Sequence, residues 1–381
     1  MQPAVVVMLG GMDGGPLEQL LRRALEACAL DTLSSAIATG HFDRALLLTD
    51  RAPTLAVPAG VTVETDAEVG HALFQFGQRL VDAVQRHGID ALLYCGAGSA
   101  PLLDAAALDA LVAPLHAADA AVCVTNNRFS ADLFALSPAA LLARLDPSPA
   151  SDNAVPRRLR DQHGVEVIEP PRTLETQYNL DSPADLIALH LSGRAQPRLA
   201  QVITEASIDV ARVRRAARVF IDRTAEVLVA GRVSSRSWQY LESEAACRVR
   251  LLAEERGMSA AGREDDGRAR SLLAMQLEAV GARRFFEEQL PQLCNAAFLD
   301  IRPALVHLGI RPSRADRFAA DLGLADEIDD PRLRELVAAA NASPVPVVLG
   351  GHSLVAGDLM LLNDWAWEQV DGVRRGADTP V

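Results

Sequence analysis

The sequence contains no lysine: all 37 of its basic residues are arginine. That excludes Schiff-base chemistry, a P-loop phosphate lysine and a lysine general base. Cysteine is sparse and scattered: Cys28, Cys95, Cys123, Cys247 and Cys294 form no C-x-x-C pair. This rules out a zinc knuckle and a disulfide framework and fits reduced thiols in a cytoplasmic protein. No apolar run reaches the roughly 18 residues of a membrane span; the longest, at 4–9 and 45–49, are strand-sized. No basic segment precedes the first apolar run, so no signal peptide is expected. There is no G-x-S-x-G elbow for a serine hydrolase and no H-x-x-x-H pair for a zinc enzyme. The net charge is −13 and no segment is markedly basic, so neither nucleic acid nor membrane is an expected partner.

What is present is apolar residue in quantity, 49% of 381, enough for two domains with large cores. The first 190 residues or so alternate short β-branched runs with amphipathic stretches, the signature of an α/β fold. Strands are expected at 5–9, 44–49, 61–64, 89–94, 120–125, 132–136 and 165–169. Helices are expected at 17–38, 71–87, 104–117, 156–162 and 181–190. Residues 191–197 combine Ser, Gly, Gln and Pro and are expected to be a linker. Beyond it the strand signal nearly vanishes. Helices are expected at 208–228, 238–256, 269–290, 331–340 and 354–370, with one strand-like run at 345–349. The expectation is an α/β unit over 1–192 and an all-α unit over 200–381.

The chemistry-bearing residues of the first half follow its strands. Leu9-Gly10-Gly11-Met12-Asp13-Gly14-Gly15 leaves the first strand and opens a helix, the arrangement that offers backbone N–H groups to phosphates. Its spacing is neither G-x-G-x-x-G nor Walker A. Asp66 precedes Gly70 at the next helix start. Gly96-Ala97-Gly98-Ser99 closes a fourth strand, and Asn127, Arg128 and Asp132 lie in a polar turn between two later strands. The order ends in Asn179-Leu180-Asp181-Ser182-Pro183-Ala184-Asp185-Leu186.

This order resembles the nucleotidyltransferases of the GT-A-like fold, and most closely the guanylyltransferases of molybdopterin and phospholactate cofactor synthesis. The resemblance covers residues 4–190 and is most specific in the closing N-x-D-[ST]-P-x-D-L element. It implies a Rossmann-like, mostly parallel sheet and transfer of a nucleotidyl group from an NTP to a phosphorylated small molecule, releasing pyrophosphate. It further implies that the loop of Leu9, Gly10, Gly11, Met12, Asp13 and Gly14 cradles the nucleotide's phosphates and that Asp66 touches the nucleoside; the Gly-rich turn with Gly96 and Gly98, at a strand's carboxyl end, is expected to add backbone donors. Ser99 is expected to be catalytic, since it stands where the family has a metal-binding Asp. Asp181 is the implied catalytic carboxylate, holding Mg²⁺ with help from Asp132. Asn127, Arg128, Asp132 and Asn179 are expected to recognise the acceptor. Two departures bear on charge: the family's loop carries an Arg and a Lys where Met12-Asp13 stands here, and Ser99 is a weaker ligand than a carboxylate for a hard cation. Arg22, Arg23 and Arg51 could replace the missing charge. So could the arginines of 208–228 (Arg212, Arg214, Arg215, Arg218, Arg223), by closing over the pocket. A non-catalytic binding protein for a nucleotide or nucleotide-sugar is the alternative reading, and a homo-oligomer is compatible with either.

Overall fold

The computed structural model describes residues 2–71, 74–99, 101–258 and 261–371. Its first half is built on seven strands: β1 (Ala4–Leu9), β2 (Arg44–Thr49), β3 (Val61–Thr65), β4 (Leu92–Gly96), β5 (Val122–Thr125), β6 (Leu133–Ser137) and β7 (Glu166–Ile168). They form one sheet in the order β3-β2-β1-β4-β6-β5-β7. Only β6 runs antiparallel to its neighbours. This is the mostly parallel α/β sheet of the GT-A-like expectation.

Both faces of the sheet are buried, as parallel sheets require. Along β1, Val5, Val7 and Leu9 point into one core while Ala4, Val6 and Met8 point into another. The long helix α1 (Pro16–Thr39) covers the first of these faces. Pro16 opens it, where a missing N–H costs nothing. Gly40, at φ 69°, ends it in the left-handed conformation that favours glycine. The expected helix at 71–87 spans only Phe76–Arg86; Leu73, one of its apolar positions, lies outside the described residues.

The second half is rich in helix, as expected, but it is not all-α. It folds around four parallel strands: β8 (Glu226–Gly231), β9 (Arg248–Ala253), β10 (Ala296–Asp300) and β11 (Val347–Gly350). Their order is β11-β10-β8-β9. β9 falls inside the helix expected at 238–256, β8 starts within the one expected at 208–228, and β11 meets the strand-like run expected at 345–349. The helix within 208–228 is only Ala211–Ala217, extended by a turn to Ile221. Asp222 then reverses the chain by accepting from Thr224 N–H at 2.8 Å, and β8 follows. Four- to six-residue apolar runs such as these do not distinguish a buried strand from a buried helix by periodicity alone.

The two halves share a core. Val5, Leu21 and Leu93 of the first half belong to the same buried cluster as Val227, Phe298, Val348 and Trp365 of the second. Residues 193–196 connect the halves, and the next helix, Pro197–Ala206, returns to α1 through the Arg198–Asp31 ion pair at 3.1 Å. Among the described residues no helix is long and apolar enough to cross a membrane.

Candidate functional site

In open parallel sheets ligands bind beyond the carboxyl ends of the strands. Here two such edges face each other across one cavity of about 500 Å³, a size that suits a small-molecule site. The first sheet contributes Met12 after β1, Asn127 after β5, Asp132 just before the antiparallel β6, and the closing element's Asn179 and Asp181. The second sheet contributes Arg232 after β8, Arg256 after β9, Arg302 after β10, and Gly351 and His352 after β11.

The lining is strongly cationic in a chain of net charge −13: seven arginines stand against three aspartates. The arginines fall into two groups. Arg172, Arg232 and Arg256 form one; burial, and then the charges of Arg172 and Arg232, lower the pKa of Arg256. Arg302, Arg314 and Arg317 form the other; burial, and then Arg302 and Arg314, lower that of Arg317. Arg236 lines the cavity as well. Arg232 is held by Asp300 at 2.6 Å, and Arg302 by both carboxylate oxygens of Asp321, at 2.8 and 2.6 Å. Arg232 grips Asp300 through both Nε and Nη2, a bidentate pair that fixes its guanidinium plane, whereas Arg302 reaches both Asp321 oxygens from Nη2 alone and leaves its other N–H groups free to point elsewhere. The Nη1 of Arg302 is buried without a hydrogen-bond partner, as is His352 Nδ1. Burial and the neighbouring Arg232 and Arg256 push the His352 pKa down to about 4, so the ring is neutral at pH 7.

The carboxylates show the converse effect. Asp181 is enclosed by protein on its flanks while remaining exposed to the cavity. Burial, and then the charges of Asp185 and Asp132, push its pKa up to about 7, against the opposing pull of Arg232. Burial raises Asp132 as well, opposed by hydrogen bonds from Asn179 and Asn126. The turn that carries Asp181 is fixed by Asp185, whose carboxylate accepts from the N–H of Asp181 at 2.6 Å and of Ser182 at 2.7 Å. Its other oxygen accepts from Ser353 Oγ of the second half at 2.7 Å. Beside it Tyr178 donates to Asp358 at 2.7 Å. The closing element is thus tied directly to the half that brings the arginines.

Of the residues singled out in the sequence, Met12, Asn127, Asp132, Asn179 and Asp181 meet in the cavity. Others are placed elsewhere. Leu9 is buried in the core. The Gly11 N–H, in a residue at φ 75°, donates to Asp50 at 3.2 Å. Gly10 lies against the same Asp50. Asp13 pairs with Arg51, and a Cβ on Gly14 would meet the Glu18 carboxylate. Asp66 is held by the fully buried Arg79 at 2.9 Å, in a network with Glu64. Gly98 serves packing, since a Cβ there would lie 2.5 Å from the Leu180 carbonyl oxygen, and the Gly96 N–H donates to the Asp132 carbonyl at 3.1 Å. Ser99 is buried, outside the cavity lining, and its hydroxyl donates to the Gly96 carbonyl at 2.7 Å. Arg128 is held by Glu169. Arg22 pairs with Asp50 at 2.7 Å and Arg23 with Glu205 at 2.6 Å. The closing arginines expected from 208–228 do not line the cavity: Arg214, Arg215, Arg218 and Arg223 are exposed, and Arg212 bonds Asn341. Five of the seven that line it sit one to three residues beyond the ends of β8, β9 and β10 (Arg232, Arg256, Arg302) or on the helix Arg314–Leu322 (Arg314, Arg317), while Arg172 follows β7 and Arg236 lies on the helix Ser235–Glu244. Recognising those strands in the sequence would have located three of them.

No protein-family model matches the chain, and no curated protein matches it. Among solved structures it is similar to a cytidylyltransferase from Leptospira borgpetersenii, with 16% identity and a TM-score of 0.38 over 54% of this chain and 95% of that one. It is similar to 2-C-methyl-D-erythritol 4-phosphate cytidylyltransferase from Thermus thermophilus, with 15% identity and a TM-score of 0.29 over 55% of this chain and all of that one. A third likeness is to CMP:2-keto-3-deoxy-manno-octonic acid synthetase complexed with CTP, with 11% identity and a TM-score of 0.31 over 45% and 90%.

Proposed function

We propose that the protein transfers a nucleotidyl group from an NTP to a phosphorylated small molecule. The reading rests on one observation: a cavity whose net charge is opposite to that of the chain, placed where the closing element meets two strand edges. In this reaction an oxygen of the acceptor phosphate attacks the α-phosphorus, the bond from that phosphorus to the bridging oxygen breaks, and pyrophosphate leaves. The nucleophile is already an anion, so no base has to deprotonate it. What the site must supply is alignment of two polyanions and neutralisation of their charge. Arginine does both, because its planar fork grips phosphate oxygens in pairs. Arg172, Arg232 and Arg256 surround the acceptor phosphate on this reading, with Asn127 and Asn179 on its polar flank.

Asp132 and Asp181 fit the protein's share of a Mg²⁺ site, since that ion takes one or two carboxylates and completes its shell with substrate phosphates and water. Among the described residues no group of three or more His, Cys, Asp or Glu could hold a metal ion, so these two are the whole protein contribution proposed. Bound there, Mg²⁺ would further neutralise the phosphates. The finer kinship with molybdopterin and phospholactate guanylyltransferases is also proposed, on the closing element at 179–186.

A panel of NTPs combined with sugar phosphates and other phosphate monoesters, read by coupled pyrophosphate release with and without Mg²⁺, tests the proposal. Acceptor-dependent release with one NTP is the expected result. Stabilisation by a nucleotide-sugar without any release would favour the binding-protein alternative.

A further inference from the structure

The Gly10–Gly15 loop offers a phosphate fewer N–H groups than its sequence suggests. Two of its donors serve the protein's own carboxylates: the Gly11 N–H bonds Asp50 at 3.2 Å and the Gly15 N–H bonds Glu18 at 2.8 Å. The nearby cations of the first half are neutralised as well, Arg22 by Asp50, Arg51 by Asp13 and Arg23 by Glu205. A triphosphate laid along this loop alone would meet carboxylates.

The second half supplies what is lacking. The helix Arg314–Leu322 brings Arg314 onto the loop, where its Nη1 donates to the Gly11 carbonyl at 2.6 Å. One turn along, Arg317 is half-buried beside Arg302 and Arg314, with Asp321 and Glu264 as its nearby acids. Asp321 is already committed to Arg302 through both oxygens. No ion pair reaches Arg314 or Arg317 among the described residues. Arg302 keeps a buried Nη1 without a partner at the same place. Three guanidinium groups crowded against one committed carboxylate repel one another, and an anion between them relieves that repulsion.

We propose that Arg302, Arg314 and Arg317 form a polyphosphate site facing the Gly10–Gly15 loop, so that the second half supplies the cations that this loop lacks. That the polyphosphate belongs to a nucleotide rests on the nucleotidyl-transfer reading; the anion site does not.

Isothermal titration of the full chain with inorganic triphosphate tests it. Arg314→Gln, the double variant Arg314→Gln/Arg317→Gln, and the control Arg214→Gln on the exposed helix Ala211–Ala217 are compared with the parent. Arg314 is exposed, so its single variant keeps the fold, which far-UV circular dichroism checks. The expected result is at least tenfold weaker binding in the double variant, an intermediate loss in Arg314→Gln, and no change in the control. Binding within twofold of the parent in the double variant, or no triphosphate binding by the parent, overturns the site. Arginine-dependent triphosphate binding without NTP turnover leaves the site standing and removes the transferase reading. Turnover with unaltered binding in the variants does the reverse.

Discussion

On the proposed reading Asp181 serves a ligand at a cost in stability, and Asp181→Asn measures that cost. Enclosure and the neighbouring Asp185 and Asp132 move its carboxyl from 3.8 to about 7. The sign follows from proton binding. The folded protein holds this proton at pH values where the unfolded chain has lost it, so the group's contribution to stability is complete below pH 4 and is lost as pH rises through 7. For a fully shielded carboxyl the change from 3.8 to about 7 corresponds to about 4 kcal/mol at pH 8. Asp181 opens onto the cavity, and water there screens the figure to about 1–2 kcal/mol. The neutral, nearly isosteric Asn removes this cost. Asp181→Asn should therefore melt about 1–3 °C above the parent at pH 8, with the difference shrinking as pH falls toward 4 and gone below it. Nucleotidyl transfer should be lost in the same variant. Thermal unfolding in paired buffers of equal ionic strength, without ligand, is the assay. An equal or lower melting temperature at pH 8 would refute the reasoning, because it would mean that the ionised carboxylate is already compensated inside the protein.

Ser99→Asp should destabilise the protein by about 2–4 kcal/mol without tightening divalent-ion binding, since it places a charge beside the Gly96 carbonyl in a buried turn; tighter Mn²⁺ binding in a folded variant would show that this turn opens to the cavity. Arg79→Met should cost about 3 kcal/mol in urea unfolding, because Asp66 loses a fully buried partner while Glu64 retains Arg86 and His87; a loss below about 1 kcal/mol would contradict a structural role for Asp66. Gly98→Ala should cost about 1–3 kcal/mol, because the new methyl would press on the Leu180 carbonyl and on Leu25. Its melting temperature should fall whether or not nucleotide is present.

The first half was legible because its strands end in turns rich in Gly, Asp and Asn, which separate one element from the next. Its strand sequence and the four polar residues Asn127, Asp132, Asn179 and Asp181 follow from that punctuation. Of the second sheet only β11 was legible, as the strand-like run at 345–349; its other strands were hidden for two reasons. β8 and β9 follow short helices after turns with few residues, Asp222–Ala225 and Ala245–Cys247, so their apolar positions merge into the preceding helical period. β10 is five buried residues, too short to show any period. Three cavity arginines, Arg232, Arg256 and Arg302, were hidden with the strands they follow. In one dimension an arginine beyond a strand end looks like the many arginines of exposed helices. Ser353 shows the same limit: a serine at a helix start reads as an N-cap, yet its hydroxyl crosses to Asp185 of the other half.

The core that runs unbroken from the first sheet into the second bears on how the cavity recognises its ligands. A clamp between two separately packed lobes can swing open and shut on a hinge. A clamp whose jaws share one packed interior moves only by breaking that interior. The mutual repulsion of the guanidinium groups is therefore set up when the chain folds, before any ligand arrives. On the proposed reading an entering polyanion meets charges already fixed in place, and its binding energy need not be spent on drawing them together. Discrimination among ligands in such a cavity rests on shape and on the spacing of negative charge along the molecule, and less on an ability to trigger closure.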